Sequence, residues 1–239
     1  MTSRGEPGLL GSIDQPDALR AHVVSLERPP RLHGYDVEAD LAQNYTVGEV
    51  ALLALRGSPP TREEGRAFEV ACVFISALPM TEGPTHAAML ARLCGASGAG
   101  VTATACVALA ERAEREVADA LPLFQAIERG DDPPVPVPCQ AIDARDAESA
   151  TQLCDAVGRL GWVCEYIPDG VGVVTAALGV FYQLGLHDPL QLVAAQCQAR
   201  MPAVLAEAMG TKVGDFRAYP MDVPPVRWAG RGPDEFEAP

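Results

Sequence analysis

Positive charge, aromatic side chains and long apolar runs are all scarce in this chain of 239 residues. Lysine and arginine total 18 against 32 aspartates and glutamates, a formal net charge of −14, and Lys212 is the only lysine. Such a chain has nothing with which to neutralise a run of phosphates, which argues against nucleic acid as a partner. Aromatics make up 5% while hydrophobic residues reach 48%, so the apolar content is mostly Ala, Val and Leu. That composition favours packed helices over sheets. No apolar run reaches membrane length, and no basic start leads into a signal-type apolar stretch. The expectation is a soluble, cytoplasmic protein with no membrane contact. The seven cysteines show no Cys-x-x-Cys spacing and mostly sit among apolar neighbours. This is the pattern of reduced, buried thiols and argues against a metal site.

What is present is helical punctuation. Thr46 with Glu49, and Thr61 with Glu64, are capping boxes, in which hydroxyl and carboxylate satisfy each other's backbone amides. The first predicts a helix over 46–56, stopped by Gly57 and the Pro59-Pro60 pair. The second opens a largely buried helix over 61–78. Gly83-Pro84-Thr85 begins a third helix, and a long helix is expected over 101–128, apolar at first and charged later. GDDPPVPVP at 130–138 reads as an extended linker. Asp146 is expected to cap a helix running to Leu160. WVCEYI at 162–167 is strand-like, and so, more weakly, is 22–26. Asp169-Gly170 marks a turn before a wholly apolar helix over 171–186. His187-Asp188-Pro189 breaks that helix and starts the last one, over 189–209. GASGAG at 95–100 lacks a preceding strand and a following lysine, so it is a helix–helix turn rather than a phosphate loop. Together these predict an all-α fold.

Several of these segments share an order. HGYDVEADLAQNYTVGEVALLALRGSPPT at 33–61 resembles the N-terminal segment of the citrate synthase and citryl-CoA lyase family, with its Gly-Tyr-Asp, Glu-Val helix and Pro-Thr. GPTHAAMLAR at 83–92 is similar to that family's Gly-Pro-Thr helix start. VGVVTAALGVFYQLGL at 171–186 is similar to its Asn-Val-Asp helix ending in Leu-Gly-Leu. ARMPAVLAEA at 199–208 and PPVRWAGRGP at 224–233 are similar to its closing motifs. The resemblance implies a citrate synthase-like helical bundle with a reduced small lobe. It divides the chain into an irregular segment (1–30), the first part of a large helical domain (31–129), linker and small lobe (130–170), and helices completing the large domain (171–239). It also implies a homodimer, and a small carboxylic acid or acyl-CoA as ligand, with no firm cofactor beyond a coenzyme A thioester substrate.

The same resemblance implies that the chemistry has gone. Family catalysis uses an aspartate base and two histidines, and the Asn-Val-Asp triplet falls on Gly172, Val173 and Val174. Neither histidine motif has a counterpart, and Glu82 stands where another family histidine is expected. Arg200 matches the arginine that grips a keto-acid carboxylate, and Arg227 matches one reaching into the partner's site. Glu82 with His86 offers a weak acid/base pair, although a histidine one turn into a helix also fits a plain surface role. Asp169 could stand in for the lost base, or simply serve the Asp-Gly turn. An unpaired Arg200 in an apolar helix would be costly, so either a ligand carboxylate or Glu207 should satisfy it. Two functions follow. One is a divergent enzyme forming or cleaving C–C bonds of an acyl-CoA or related acid. The other is a pseudoenzyme acting as dimeric scaffold or regulatory carboxylate binder.

Overall fold

The structure, a computed structural model, describes residues 20–25 and 28–215. It opens on a small antiparallel sheet, β1 (Val24–Ser25), β2 (Arg31–Leu32) and β3 (Tyr35–Asp36), in that spatial order. Asp36 then caps a π-helical turn (Val37–Leu41), its Oδ1 accepting from the Glu38 and Ala39 amides, and the turn runs into α1 (Ala42–Asn44). The remaining helices are α2 (Val47–Arg56), α3 (Arg62–Ser76), α4 (Gly83–Leu93), α5 (Gly98–Glu128), α6 (Ala144–Gly158), α7 (Val173–Gln183) and α8 (Pro189–Gly210).

Both capping boxes form as expected. In α2 the Glu49 amide donates to Thr46 Oγ1 at 3.2 Å while Glu49 Oε2 accepts from the Thr46 amide at 2.6 Å. Gly57, at φ 83°, ends the helix. The box also fixes how α2 meets α3. Glu49 is buried, and the only room for its stem is over Gly65, where a Cβ would lie 2.2 Å from Glu49 Cγ. Gly48 does the same for Glu69, whose carboxylate accepts from the Thr46 hydroxyl at 2.6 Å. Two helical glycines thus admit two glutamates.

The core forms around α7, in which residues 175–182 are all buried. Phe68 and Ile75 of α3, Val117 and Phe124 of α5, Leu153 and Val157 of α6, and Leu192 and Ala195 of α8 enclose it. Phe68 and Phe181 lie 5.2 Å apart, ring to ring. A second cluster of small residues, including Ala88, Ala105, Val204 and Ala208, joins α4, α5 and α8. Pro122 and Pro202 lie inside α5 and α8 without ending them. The carbonyls they would leave unpaired belong to Ala118 and Gln198, on exposed faces that water can reach.

Four expectations need correction. Residues 162–167 are not a strand but an irregular run over α7. The Gln183 side chain accepts from the Glu165 amide at 3.2 Å and donates to the Val163 carbonyl at 2.6 Å, taking the place of a strand partner. Gly179 makes the approach possible, since a Cβ there would lie 2.7 Å from Ile167 Cγ1. The cap of α6 is Asp143, which accepts from the Asp146 amide, so Asp146 is free to act elsewhere. Cys94 and Cys106 are exposed rather than buried. The expected strand at 22–26 is only β1, and Leu26 lies outside the described residues.

Helix propensity alone favours Gly65→Ala by roughly 1 kcal/mol. The structure reverses the sign. The added methyl must expel buried Glu49 and break its capping box, and urea denaturation should show a loss of about 1–2 kcal/mol. An increase in stability would mean that the Glu49 side chain is not held there.

Candidate functional site

A cavity of about 400 Å³ opens where the C-terminus of α3, the middle of α5, the start of α7 and the middle of α8 converge. Its charged lining comes from Glu82, Arg112, Glu116, Asp119, Asp146 and Arg200, and its apolar lining includes Phe74, Ile75, Leu78, Val173 and Val174. Arg112, Glu116 and Asp119 share one face of α5 by their spacing of four and three residues.

The charges are joined in a ladder. Glu82, the residue before α4, does not cap that helix; its carboxylate pairs with Arg112 Nη1. Arg112 Nε donates to Glu116 Oε1 at 2.8 Å, and Arg200 Nη1 donates to Glu116 Oε2 at 2.7 Å. Burial works against the charge on Arg112, yet its bonds to Glu116 and Glu82 outweigh that and raise its pKa. Arg200 is the largest fully buried side chain of the described residues, and its Nε donates to the Ile75 carbonyl at 3.4 Å.

Asp146 reaches across from α6 to the start of α7. Its Oδ1 accepts from the Val173 amide at 3.0 Å and its Oδ2 from the Ile142 amide at 3.1 Å. Gly172 makes room for it, since a Cβ would lie 2.5 Å from Oδ2. Asp119 also faces the cavity but makes no hydrogen bond or ion pair among the described residues. Cys139 lies nearby and is buried, which pushes its thiol pKa up despite a hydrogen bond with Thr175. It is no nucleophile at neutral pH.

The fold has a solved counterpart. The structure of citryl-CoA lyase from Hydrogenobacter thermophilus superposes with a TM-score of 0.68 at 16% sequence identity, covering 92% of this chain and 99% of that one. The fold is citrate synthase-like. At this identity the likeness establishes architecture alone. No family model matches the sequence, and no curated protein is similar to it by sequence. No helix among the described residues is long and apolar enough to cross a membrane.

The residues singled out in the sequence scatter. Arg200 and Glu82 line the cavity, whereas His86 and Asp169 do not. Asp169 is exposed in a turn ahead of Gly170 at φ 83°. Arg227 lies outside the described residues. Glu207 is exposed and is not the partner of Arg200, whose acid is Glu116, 84 residues away in sequence. His187 and Asp188 are structural: His187 stacks on Tyr182, and Asp188 forms a capping box with Gln191. Arg112, Glu116, Asp119 and Asp146 went unnoticed as site residues. The one signal for them was the i, i+4 pairing of Arg112 with Glu116 on a helix otherwise read as emerging into solvent.

The ladder predicts an asymmetry. Glu116→Ala strands a guanidinium whose side chain is 2% exposed and should cost about 3 kcal/mol. Arg200→Met leaves Glu116 still bonded to Arg112 and partly solvated, costing about 1–2 kcal/mol. Denaturant titrations of the two variants check the order, and a larger loss for Arg200→Met would contradict it.

Proposed function

We propose that this citrate synthase-like chain keeps its cleft as a binding site for a small acid or acyl group and does not perform citrate chemistry. The observation that carries the reading is the first turn of α7. Where the resemblance places the proton-abstracting aspartate, the cavity wall is Val174. Valine accepts no proton. None of the four histidines of the chain lines the cavity, so neither an enolate nor a keto-acid carbonyl would meet an imidazole there. The nearest replacement, Asp146, has both oxygens directed at backbone amides and would have to release the start of α7 to act.

The name of the structural neighbour, a citryl-CoA lyase, belongs to that protein; here the same cleavage would lack its acid and base groups. General-base catalysis is worth about 10²–10⁴-fold, and each lost electrostatic donor about 10²–10³-fold. Purified protein should therefore give no measurable turnover of citryl-CoA, or of acetyl-CoA with oxaloacetate. Robust product formation in a coupled thiol assay would refute the reading.

One observation favours an enzymatic alternative. Asp119 is the single cavity carboxylate without a hydrogen bond or ion pair among the described residues, which leaves it able to take a proton from a different acyl-CoA or acid. If such a substrate is found, Asp119→Asn should abolish its turnover.

The homodimer belongs to the same proposal. Val73 of α3 is 70% exposed beside Val70, Cys72 and Phe74, along a groove of about 560 Å³. An apolar strip of that kind supports a second copy as its cover. Light scattering at micromolar concentration should give twice the mass of 25.2 kDa, and a monomer would count against it.

A further inference from the structure

Arg112 and Arg200 hold Glu116 as a protein holds a bound acid. They approach from α5 and α8 and meet the two oxygens of one carboxylate at 2.8 Å and 2.7 Å. Charge-assisted contact of two guanidiniums with both oxygens of one carboxylate is a carboxylate clamp. Neither arginine relies on Glu116 alone for its position. Arg200 is packed to 2% exposure and is anchored through Nε to the Ile75 carbonyl, while Arg112 is anchored by Glu82. Glu116 has no such second tie: its side chain is 21% exposed against 2% for Arg200, and among the described residues its carboxylate bonds to nothing but the two arginines. Both arginines keep a second bond when that carboxylate leaves, so the occupant is the removable part.

Charge says what can enter. The cavity is lined by four carboxylates, Glu82, Glu116, Asp119 and Asp146, against two guanidiniums. An external acid arriving with Glu116 in place would add a fifth negative charge; one arriving in its stead leaves the balance unchanged. A cavity of about 400 Å³ holds a short-chain acid. We propose that Arg112 and Arg200 form a carboxylate subsite which Glu116 occupies as an internal ligand. The resting protein is thereby closed to external acids, and a small mono- or dicarboxylate enters by displacing Glu116. This rests on the reading of the cleft as a ligand site and assigns that site its gate.

The test uses the full chain and acetate, malonate and succinate at constant ionic strength against chloride, read by thermal melting and calorimetry. Glu116→Ala should melt below the parent in chloride, regain stability saturably with carboxylate, and bind it at least tenfold more tightly than the parent does. Adding Arg200→Met to Glu116→Ala should remove that gain. Equal carboxylate response in parent and Glu116→Ala, or a gain that survives loss of Arg200, would overturn the proposal. Should Glu116→Ala fail to fold in chloride, Glu116→Gln keeps the volume and one acceptor. Affinity at least threefold above the parent then supports the gate, and unchanged or weaker affinity overturns it. Turnover of citryl-CoA by the parent would remove the proposed function and leave this result standing, whereas a missing carboxylate gain removes only the gate.

Discussion

The main core of the described residues is arranged to bury one helix that carries no charge of its own. α7 has no acidic residue in its first turn and no basic residue in its last, and its middle is inaccessible to solvent. A helix still presents unpaired amides at one end and unpaired carbonyls at the other. Both are met from elsewhere. Asp146 of α6 takes the Val173 amide, and Arg56 of α2 donates to the Leu184 carbonyl at 3.1 Å. An acid at the N-terminus and a base at the C-terminus are also the signs the helix dipole favours. The helices around α7 therefore supply its electrostatics as well as its packing.

The cleft is a consequence of the same arrangement. Asp146 of α6 caps the start of α7, and the cavity beside that cap is bounded by α3, α5 and α8. Arginines from two of those helices project into it. Each is affordable at such depth because it meets more than one acceptor. The result is a polar floor of fixed geometry beneath an apolar wall, a general design for orienting a small ligand. No histidine among the described residues lines that wall.

Local features were legible in the sequence where local chemistry decides them. Thr46 with Glu49 and Thr61 with Glu64 cap helices by bonds spanning three residues, and Asp188 before Pro189 starts the last helix. The apolar run from 171 to 186 could only be central. Where a segment's partner is distant, the reading failed. WVCEYI has the β-branched and aromatic residues a strand favours, but it lies on α7 and bonds to Gln183, so no strand partner was available. Asp146 looked like the cap of its own helix and proved to be the cap of another.

The sequence by itself determined the helices, their stops, the buried status of α7 and the likeness in order of motifs to an enzyme family. It also determined the chemistry of position 174, because Val174 is valine whatever the fold does with it. Only the tertiary structure decided what Arg200 faces. A seven-residue spacing on one helix pointed to Glu207, but helices α5 and α8 meet where Glu116 lies, and Arg200 pairs with the acid that shares its cavity rather than the one that shares its helix. Ion pairing depends on distance through space, and distance through space across 84 residues is set by packing.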